Sequence, residues 1–520
     1  MISQAATDNM ENVRGMESRE QALFADLKAQ GMSESSILSV YQRMKDYIDP
    51  PEVVEGSIAD THTTELGLAR RFITRNGHRV RHVPAWGSWL VWTGTHWQKD
   101  ELLAVEKLMI ETALRVWDEL RLAKGITDDA QAKRKDLAQF AKSAENSSKQ
   151  IGALKLVKPQ VPVRPEDLDK DPWALAARNG VVDLRTGRLR RHDPADLITK
   201  LIPVAFEPAS ECPRWTRFIG EITDHDQQLA AYLQKVSGIS LTGDVSEQVL
   251  FVFHGDGSNG KSVFVDTLLG ILGDYACQSA PDLLTAKRNS DHPTDIAHLC
   301  GRRLVVTSET EDGATLRLQL LKRLTGDARI TARYMRQDFF TFDRTHKTIL
   351  VTNNRPIVPE NTHAAWRRVK LVPFSVTIPE DQQDKRLLDA LRAEWPGILA
   401  WAVRGCLAWQ AEGLGEPTTV TTATDLYRGE ADPTQRFFDQ GIMLASNAVT
   451  PRDALFNHYQ AWCDLPGNEG VAALSKNKFL DRVRHLAGVA DGGQQRIDGH
   501  RKWVLTGVAP VTLSQAVTPF

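Results

Sequence analysis

Eight consecutive residues near the middle of the chain have the types and spacing of a phosphate-binding loop. They are Gly255, Asp256, Gly257, Ser258, Asn259, Gly260, Lys261 and Ser262. Glycines let backbone N–H groups turn inward around phosphates, and the helix after such a loop presents its positive N-terminus to them. In this pattern the lysine reaches the β- and γ-phosphates, and the serine hydroxyl ligates Mg²⁺. The sequence therefore predicts a site for ATP and Mg²⁺.

The residues on either side of the loop have the pattern that such a site requires. An apolar run at 249–253 predicts a buried strand before the loop, and the run at 263–272 predicts a helix after it. A glycine-rich structural turn is the alternative interpretation. A turn alone requires neither the lysine nor the flanking strand and helix, so the context favours a nucleotide site.

A second apolar strand, at 304–306, delivers carboxylates at its C-terminal end. Phosphoryl transfer needs an acidic group that holds Mg²⁺ or polarises the attacking water. Glu309 follows Lys261 by 48 residues (309 − 261) and is the better candidate for this role. Glu311 is the alternative. Glu309 and Ser262 are thus the predicted Mg²⁺ ligands.

A third strand, at 347–352, ends in the amides Asn353 and Asn354. An amide at this point is suited to contact the γ-phosphate or the attacking water, and Asn353 is the predicted contact. The alternative is an asparagine-rich turn before Pro356, which turn statistics also favour.

Two adjacent arginines, Arg367 and Arg368, follow that third strand. An arginine from a neighbouring subunit stabilises charge on the γ-phosphate, and a guanidinium suits this role because it stays charged and planar. We select Arg368 as the trans-acting residue and keep Arg367 as the alternative. A solvated basic surface is the simpler interpretation of two arginines alone.

Composition and charge exclude some classes of protein and leave others open. The 520 residues are 42% hydrophobic and 25% charged, with a net charge of −2, as in ordinary globular proteins. A neutral total neither supports nor excludes a nucleic-acid partner. Five isolated cysteines without a C-x-x-C pair argue against a zinc site and a disulfide framework, which favours a reducing cytoplasm. No signal peptide or membrane span is expected.

The chain outside the phosphate loop divides into recognisable regions. Residues 1–60 predict two short amphipathic helices, and residues 64–201 predict an α+β region whose tryptophans pack in a hairpin core. The tryptophans also suit base stacking, which is the less favoured interpretation. A link rich in Gly, Pro and Thr at 413–424 is the best boundary candidate before a C-terminal unit of two helices and a hairpin.

These motifs together resemble the phage and plasmid primase C-terminal helicase family, which belongs to helicase superfamily 3 and is related to poxvirus primase-helicases. The resemblance extends from about residue 64 to about residue 417 and rests on the segments 253–262, 308–311, 321–327, 330–333, 352–356 and 366–368. It implies an AAA+-like α/β core that forms a hexameric ring. Such a ring hydrolyses ATP between subunits and pulls single-stranded DNA through its pore.

The resemblance also implies where DNA is held. A hairpin before the third strand, at 330–342, carries the pore contacts in that family, and here Arg333, Tyr334 and Arg336 lie near its tip. The C-terminal unit is similar to a winged helix, with Lys478 and Arg482 on the candidate recognition helix. Basic amphipathic helices are often solvated surfaces, so the basic residues of this helix do not by themselves identify a DNA contact.

The resulting prediction is an ATP-dependent DNA helicase from a phage, prophage or plasmid replication system. Its regions are a helical appendage at 1–60, an α+β accessory domain at 64–212, the ATPase domain with a helical extension at 213–415, and a winged-helix-like domain at 425–520. Related proteins carry a primase domain before the helicase, and the residues before 64 are too few for one, so a separate primase is the expected partner. An origin-binding initiator or loader, and a P-loop small-molecule kinase, are the alternatives.

Overall fold

The structure of the chain is a computed structural model. It describes residues 62–123, 127–280, 283–285, 293–308, 314–335, 338–358, 363–430, 433–465 and 473–512. The predicted appendage at 1–60 and the predicted contacts Glu309, Glu311 and Arg336 lie outside these residues. No described helix combines the length and the apolar character that a membrane span requires.

The described chain forms two compact units. The first consists of residues 62–91 and 99–163, and the second of residues 92–98 and the described residues from 164 onward. The region predicted at 64–212 therefore contributes to both units.

The elements up to residue 163 are mostly helical. They are α1 Glu65–Asn76, β1 Val80–Val83, β2 Ser88–Trp92, β3 Trp97–Lys99, α2 Ala104–Leu114, α3 Val116–Leu122, α4 Asp128–Ala144 and α5 Ser147–Val157. In the first unit, Phe72 of α1 and Met109 of α2 are fully buried with apolar residues of α4 and α5. Glu119 accepts hydrogen bonds from Arg71 at 2.8 Å and from Arg75 at 3.2 Å, which ties α1 to α3.

The tryptophans near residue 90 differ in their surroundings. In the first unit, Trp89 packs edge-on against His82 with the ring centres 4.9 Å apart. In the second unit, Trp97 is fully buried and lies 5.6 Å from Trp92. Trp86 is 49% exposed in the turn between β1 and β2, so the expectation of core packing does not hold for this residue.

The second unit contains the remaining elements. Its helices are α6 Pro213–Ile222, α7 Gln227–Ser240, α8 Lys261–Leu272, α9 Pro293–Ala297, α10 Leu318–Gly326, α11 His363–Trp366, α12 Leu387–Ala393, α13 Trp395–Glu412, α14 Thr418–Glu430, α15 Pro433–Gly441, α16 Arg452–Cys463 and α17 Lys476–Arg484. Its strands are β4 Ala174–Ala177, β5 Gly180–Asp183, β6 Arg188–Arg190, β7 Leu250–His254, β8 Ala276–Gln278, β9 Leu304–Ser308, β10 Arg329–Ala332, β11 Phe340–Asp343, β12 Lys347–Thr352, β13 Val369–Pro373, β14 Ile442–Pro451, β15 Ala490–Ile497 and β16 His500–Pro510.

A parallel five-stranded sheet is the centre of this unit. Its strand order is β13-β7-β12-β9-β8, and every pairing in it is parallel. Side chains of a strand alternate between its two faces, and β7 follows that rule. Phe251 and Phe253 join the core formed with α6, α7, α8 and α13, whereas Leu250 and Val252 join the core on the opposite face with α10. Helices on both faces explain why β7 is apolar at four successive positions, 250–253.

Helix α14 covers the outer edge of this sheet. The Thr424 hydroxyl accepts a hydrogen bond from the Leu371 N–H of β13 at 3.0 Å, and Glu416, just before the helix, pairs with Lys370. An edge strand left open offers unpaired backbone groups to other chains, and a helix across it removes that risk. The segment interpreted as a link at 413–424 is therefore in large part a packed helix.

The amino-terminal edge of the sheet buries cations. Arg303 donates to the Leu241 carbonyl at 2.6 Å, and Lys347 donates to the Asp244 carbonyl at 3.1 Å. His346 lies beside them and is 1% exposed. Burial, reinforced by Arg344 and Lys347, lowers the pKa of His346 to about 3. This histidine is neutral in the folded chain at physiological pH.

The C-terminal residues form a separate core within the second unit. The sheet order there is β14-β16-β15, and β15 and β16 form an antiparallel hairpin. Phe437 of α15, Tyr459 of α16 and Phe479 of α17 pack together, with the last two rings stacked 4.4 Å apart. The predicted unit of two helices and a hairpin is present, joined by α15 and β14.

Candidate nucleotide and nucleic-acid sites

The predicted phosphate loop connects β7 to α8 at the carboxyl end of the parallel sheet, where ligands of such sheets bind. Two of its glycines are required by their surroundings. A Cβ on Gly255 would lie 2.1 Å from the Phe374 carbonyl oxygen. Gly260 has a φ of 82°, and its Cβ would lie 2.4 Å from a methyl group of Ile222. The loop therefore passes too close to its neighbours for larger residues.

Two further contacts fasten the loop from outside. Asn259 Nδ2 donates to the Phe374 carbonyl at 3.2 Å, and the Ile378 N–H donates to the Ser258 carbonyl at 2.8 Å. The segment after β13 thus holds the loop in place. The sequence did not predict this role for residues 374–378, because no motif connects them to the loop.

Lys261 is the buried cation of the loop. It is 4% exposed, and its ammonium donates to the Gly255 carbonyl and, at 3.0 Å, to Asn259 Oδ1. Among the described residues it forms no ion pair with a carboxylate. Burial lowers the pKa of Lys261, and nearby Asp256 opposes that shift. A buried ammonium whose partners are neutral oxygens of its own loop is suited to receive an anion.

The first turn of α8 is open toward the loop. Gly260 is its N-cap and supplies no capping side chain, and the Lys261 N–H makes a long hydrogen bond to Asn259 Oδ1, at 3.4 Å. Ser262 is exposed beside them. Exposed N–H groups at the positive end of a helix bind phosphate, and a serine hydroxyl at this position is a ligand for Mg²⁺. The residues present therefore fit a nucleotide with its metal ion.

The ends of three strands meet at this loop. Thr352 of β12 pairs with His254 of β7, and Val351 pairs with Ser308 of β9. A cavity of about 370 Å³ is lined by residues 257–263, Ser308, Val351, Thr352 and Asn353. The structure thus brings Asn353 to the phosphate loop. Glu309 directly follows Ser308 in the chain but lies outside the described residues.

Ser308 was not singled out from the sequence as a lining residue. Its position as the last residue of a strand whose neighbours end at the loop is the signal that identifies it. Within the described part of the chain, no group of three or more His, Cys, Asp or Glu side chains is arranged to hold a metal ion.

The turn after Asn353 is anchored by α14. The Thr352 hydroxyl accepts from the Asn354 N–H at 3.1 Å, which closes the turn. Arg355 then forms an ion pair with Glu430, and the Tyr427 hydroxyl donates to the Pro356 carbonyl. Two residues at the end of α14 therefore hold the segment that carries Asn353. Sequence reasoning missed them because they lie more than 70 residues away along the chain.

Arg367 and Arg368 lie at the amino ends of the sheet strands, whereas the loop lies at their carboxyl ends. Val369, the first residue of β13, pairs with Leu250, the first residue of β7. Arg368 is 9% exposed and donates to the Ala364 carbonyl at 2.6 Å, whereas Arg367 is exposed. Neither arginine reaches the loop of its own chain. Arg367 is the member of the pair that another molecule can contact.

The predicted hairpin before the third strand is present as β10 and β11. Its tip carries exposed aromatic and cationic groups: the Arg333 guanidinium lies 4.9 Å from the ring centre of Phe339, and Tyr334 stacks on Phe340 at 5.4 Å. The Tyr334 hydroxyl donates to the Ala297 carbonyl at 3.3 Å. Met335 and Phe339 are mostly exposed. The tip is therefore an apolar and cationic surface held by internal stacking.

The predicted recognition helix is α17, and its basic residues have different environments. Lys478 is exposed. Arg482 donates to the Thr434 hydroxyl at 2.8 Å and so connects α17 to α15. Lys476 pairs with Asp453, and Arg484 lies 3.5 Å from Asp491. Most of the positive charge of this helix is engaged within the domain.

Together these features define a mixed α/β protein with a parallel sheet and a glycine-rich loop at the carboxyl end of that sheet. Residues 69–224 match the family described as "D5 N terminal like", and residues 253–368 match DUF5906, a family of unknown function. The chain is similar to phage and viral primase-helicases, as its sequence resemblance predicted.

Several viral proteins are similar to this chain. "Putative helicase L207/L206" of Acanthamoeba polyphaga mimivirus is 26% identical over 304 residues, which are 54% of this chain and 32% of that protein. "Putative helicase 184R" of Invertebrate iridescent virus 6 is 24% identical over 408 residues, which are 70% and 42%. "Putative primase C962R" of African swine fever virus (isolate Tick/Malawi/Lil 20-1/1983) is 26% identical over 213 residues, which are 39% and 22%. The chain thus spans less than half the length of these relatives.

Among solved structures, the apo structure of the NrS-1 C terminal region matches this chain. It is 10% identical, its TM-score is 0.48, and the match covers 86% of this chain and all of that one.

Proposed function

We propose that this chain is an ATP-dependent DNA helicase of a viral or phage replication system. The observation that carries the proposal is the cavity that places the phosphate loop, Ser308 and Asn353 at one edge of a parallel sheet. The names of the viral relatives support a role in replication as a helicase or primase.

In the proposed site, the backbone N–H groups of residues 257–262 and the Lys261 ammonium hold the phosphates of ATP. Ser262 and Glu309 hold Mg²⁺, which neutralises charge on the phosphates when bound. Asn353 orients the γ-phosphate or the attacking water. The contacts of Arg355 and Pro356 with α14 keep Asn353 in place for this role.

The proposed assembly is a hexameric ring with an AAA+-like core, in which a neighbouring subunit completes each ATP site. The five residues of β7 put about 16 Å between the amino and carboxyl ends of the sheet, at the usual rise of a strand. An arginine at the far edge therefore acts only on the site of another subunit. The exposed Arg367 is better placed than the buried Arg368 for that task.

The β10–β11 hairpin is the proposed grip on DNA within the ring. Arg333 supplies charge for a phosphate, and Tyr334 with Phe339 supplies aromatic surface for unstacked bases. Arg336 belongs to the same tip by sequence. The C-terminal domain is proposed to be winged-helix-like and to contact DNA as a second site, with Lys478 as an exposed cation of α17.

Strand displacement from a forked DNA substrate with ATP tests this function. A helicase separates the strands and hydrolyses ATP faster when single-stranded DNA is present. The double variant Arg333→Ala with Arg336→Ala should lose both unwinding and DNA stimulation. ATP hydrolysis without any strand separation would favour an initiator or loader, and hydrolysis that DNA never affects would favour a small-molecule kinase.

A further inference from the structure

The hairpin of β15 and β16 has one face whose composition the fold does not explain. Gln494 pairs with Trp503, and Arg496 pairs with Arg501. Directly opposed residues of antiparallel strands point to the same side, as do residues two apart on one strand. These four exposed side chains therefore share one surface, which we call the Arg/Trp face.

The two arginines of this face repel each other in the free chain. Like charges directly opposed on paired strands destabilise a hairpin. Among the described residues, neither Arg496 nor Arg501 forms an ion pair with a carboxylate. Arg496 Nε donates only weakly, to the Gly499 carbonyl at 3.4 Å. The arrangement becomes favourable when an anion lies between the two guanidinium groups.

Trp503 lies on the same face as that pair of arginines. Its side chain is 53% exposed, which is unusual for the largest apolar side chain. The Arg452 guanidinium lies 4.9 Å from its ring centre on one side, and Asp491 pairs with Arg452 and fixes it. One surface of the indole is therefore supported from within the domain, and the ring keeps an open area for a planar group.

We infer that the Arg/Trp face binds single-stranded nucleic acid, with the arginines on backbone phosphates and Trp503 stacked on a base. Cationic groups beside an exposed aromatic ring are the chemistry that such strands require. Bases of a duplex are stacked on each other and offer the indole no free surface, so a single strand is favoured over a duplex. The inference rests on the proposed function, because it assigns to a helicase a second surface that binds its DNA substrate.

The inference also places the DNA contact of the C-terminal domain on the hairpin and not on α17. Three of the basic residues of α17 are held by partners within the domain, namely Lys476 by Asp453, Arg482 by Thr434 and Arg484 by Asp491. Among the described residues, the arginines of the hairpin have no carboxylate partner, and Arg496 makes only the long bond to the Gly499 carbonyl.

The test uses the full chain, a fluorescein-labelled single-stranded oligonucleotide and anisotropy at several salt concentrations. Trp503→Ala should weaken binding by about tenfold, the range expected for the loss of one stacked base. Arg496→Ala and Arg501→Ala should each reduce the slope of log affinity against log salt by about 0.7, as loss of one phosphate contact on a single strand does. Lys502→Ala is the matched control, because Lys502 lies on the opposite face of the same hairpin and pairs with Asp498 at 3.5 Å. It should leave both quantities unchanged.

Each outcome decides the inference. If wild type binds the oligonucleotide and its ATPase responds to DNA, but the three variants bind equally well, the Arg/Trp face is not a nucleic-acid site and the proposed function stands. If wild type neither binds nor responds, the proposed function itself is wrong, and this inference with it. Altered subunit assembly with unchanged DNA affinity would show that a second copy covers the face, which also overturns the inference. Arg501→Ala decides the question if Trp503→Ala proves unstable.

Discussion

The most specific consequence of the geometry concerns the exposed arginine beside β13. Arg367 precedes that strand, and β13 starts level with the first residue of β7, whereas the phosphate loop follows the last. The five residues of β7 put about 16 Å between the two edges of the sheet. Arg367 therefore cannot contact a nucleotide held by its own chain, and we predict that it acts on the site of the adjacent subunit.

The corresponding assay mixes two inactive variants. Arg367→Ala keeps the loop but lacks the arginine, and Lys261→Ala keeps the arginine but lacks the loop lysine. A trans-acting arginine contributes a factor of about 10³ or more to turnover, so each variant alone should be nearly inactive. In rings assembled from equal amounts of both, about a quarter of the junctions combine an intact loop with an intact arginine. ATPase activity should therefore recover to about a quarter of the wild-type value in the mixture.

Arg368→Ala is the comparison. Arg368 is buried and holds the Ala364 carbonyl, so its loss should lower the thermal stability of the chain more than the loss of the exposed Arg367. The reasoning is refuted if mixed rings form, as shown by native mass spectrometry, while the mixture with Arg367→Ala remains inactive. Recovery with Arg368→Ala in its place would assign the role to the buried residue.

Three further predictions concern the support of the site and the core. Glu430→Gln should lower kcat severalfold with little change in nucleotide affinity, because Glu430 holds the turn after Asn353. The charge exchange Arg355→Glu with Glu430→Arg should restore part of the turnover. Equal effects on kcat and on nucleotide affinity would argue against a positioning role for Glu430. Gly260→Ala should destabilise the chain by about 1 kcal/mol or more in thermal unfolding, since its φ is positive and its Cβ meets Ile222, whereas Gly257→Ala has no neighbour within 4 Å and should unfold like wild type. Because the unfolded state of His346 binds a proton near pH 6.5 and the folded state only near pH 3, stability falls as the pH drops between these values. Between about pH 7.5 and about pH 5.5, this histidine should cost wild type about 1.4 kcal/mol of unfolding free energy, and His346→Leu should lose that much less over the same range. A variant with the pH profile of wild type would contradict the assignment of a buried neutral histidine.

The sequence predicted the parts of the fold that depend on local pattern. The strand before the loop, the helix after it and the strands that end at Ser308 and Thr352 are all present within a residue or two of the expected ranges. These elements combine an apolar run with a polar turn, and local patterns of this kind predict a strand or a helix without knowledge of the rest of the chain. The β10–β11 hairpin was expected from the family resemblance and not from a local pattern.

Long-range contacts could not be predicted in this way. The segment at 413–424 has the composition of a link, yet most of it forms helix α14, since Val420 and Tyr427 bury apolar surface and the Thr424 hydroxyl receives the free N–H of an edge strand. Tertiary contacts of this kind override the weak helix propensity of threonine. The different burial of the adjacent Arg367 and Arg368 likewise depends on the packing of α11 and β13, which no pattern in the sequence records.

The central claim is that residues 255–262 bind ATP and that hydrolysis there is coupled to DNA. The most direct test measures ATP turnover by wild type, Lys261→Ala and Glu309→Gln with and without single-stranded DNA, after thermal unfolding has shown that all three are folded. Wild type should turn over faster with DNA. Lys261→Ala should lose hydrolysis, and Glu309→Gln should retain nucleotide binding without turnover, since positioning and charge neutralisation carry phosphoryl transfer. Wild-type turnover by folded Lys261→Ala would contradict the assignment of the site.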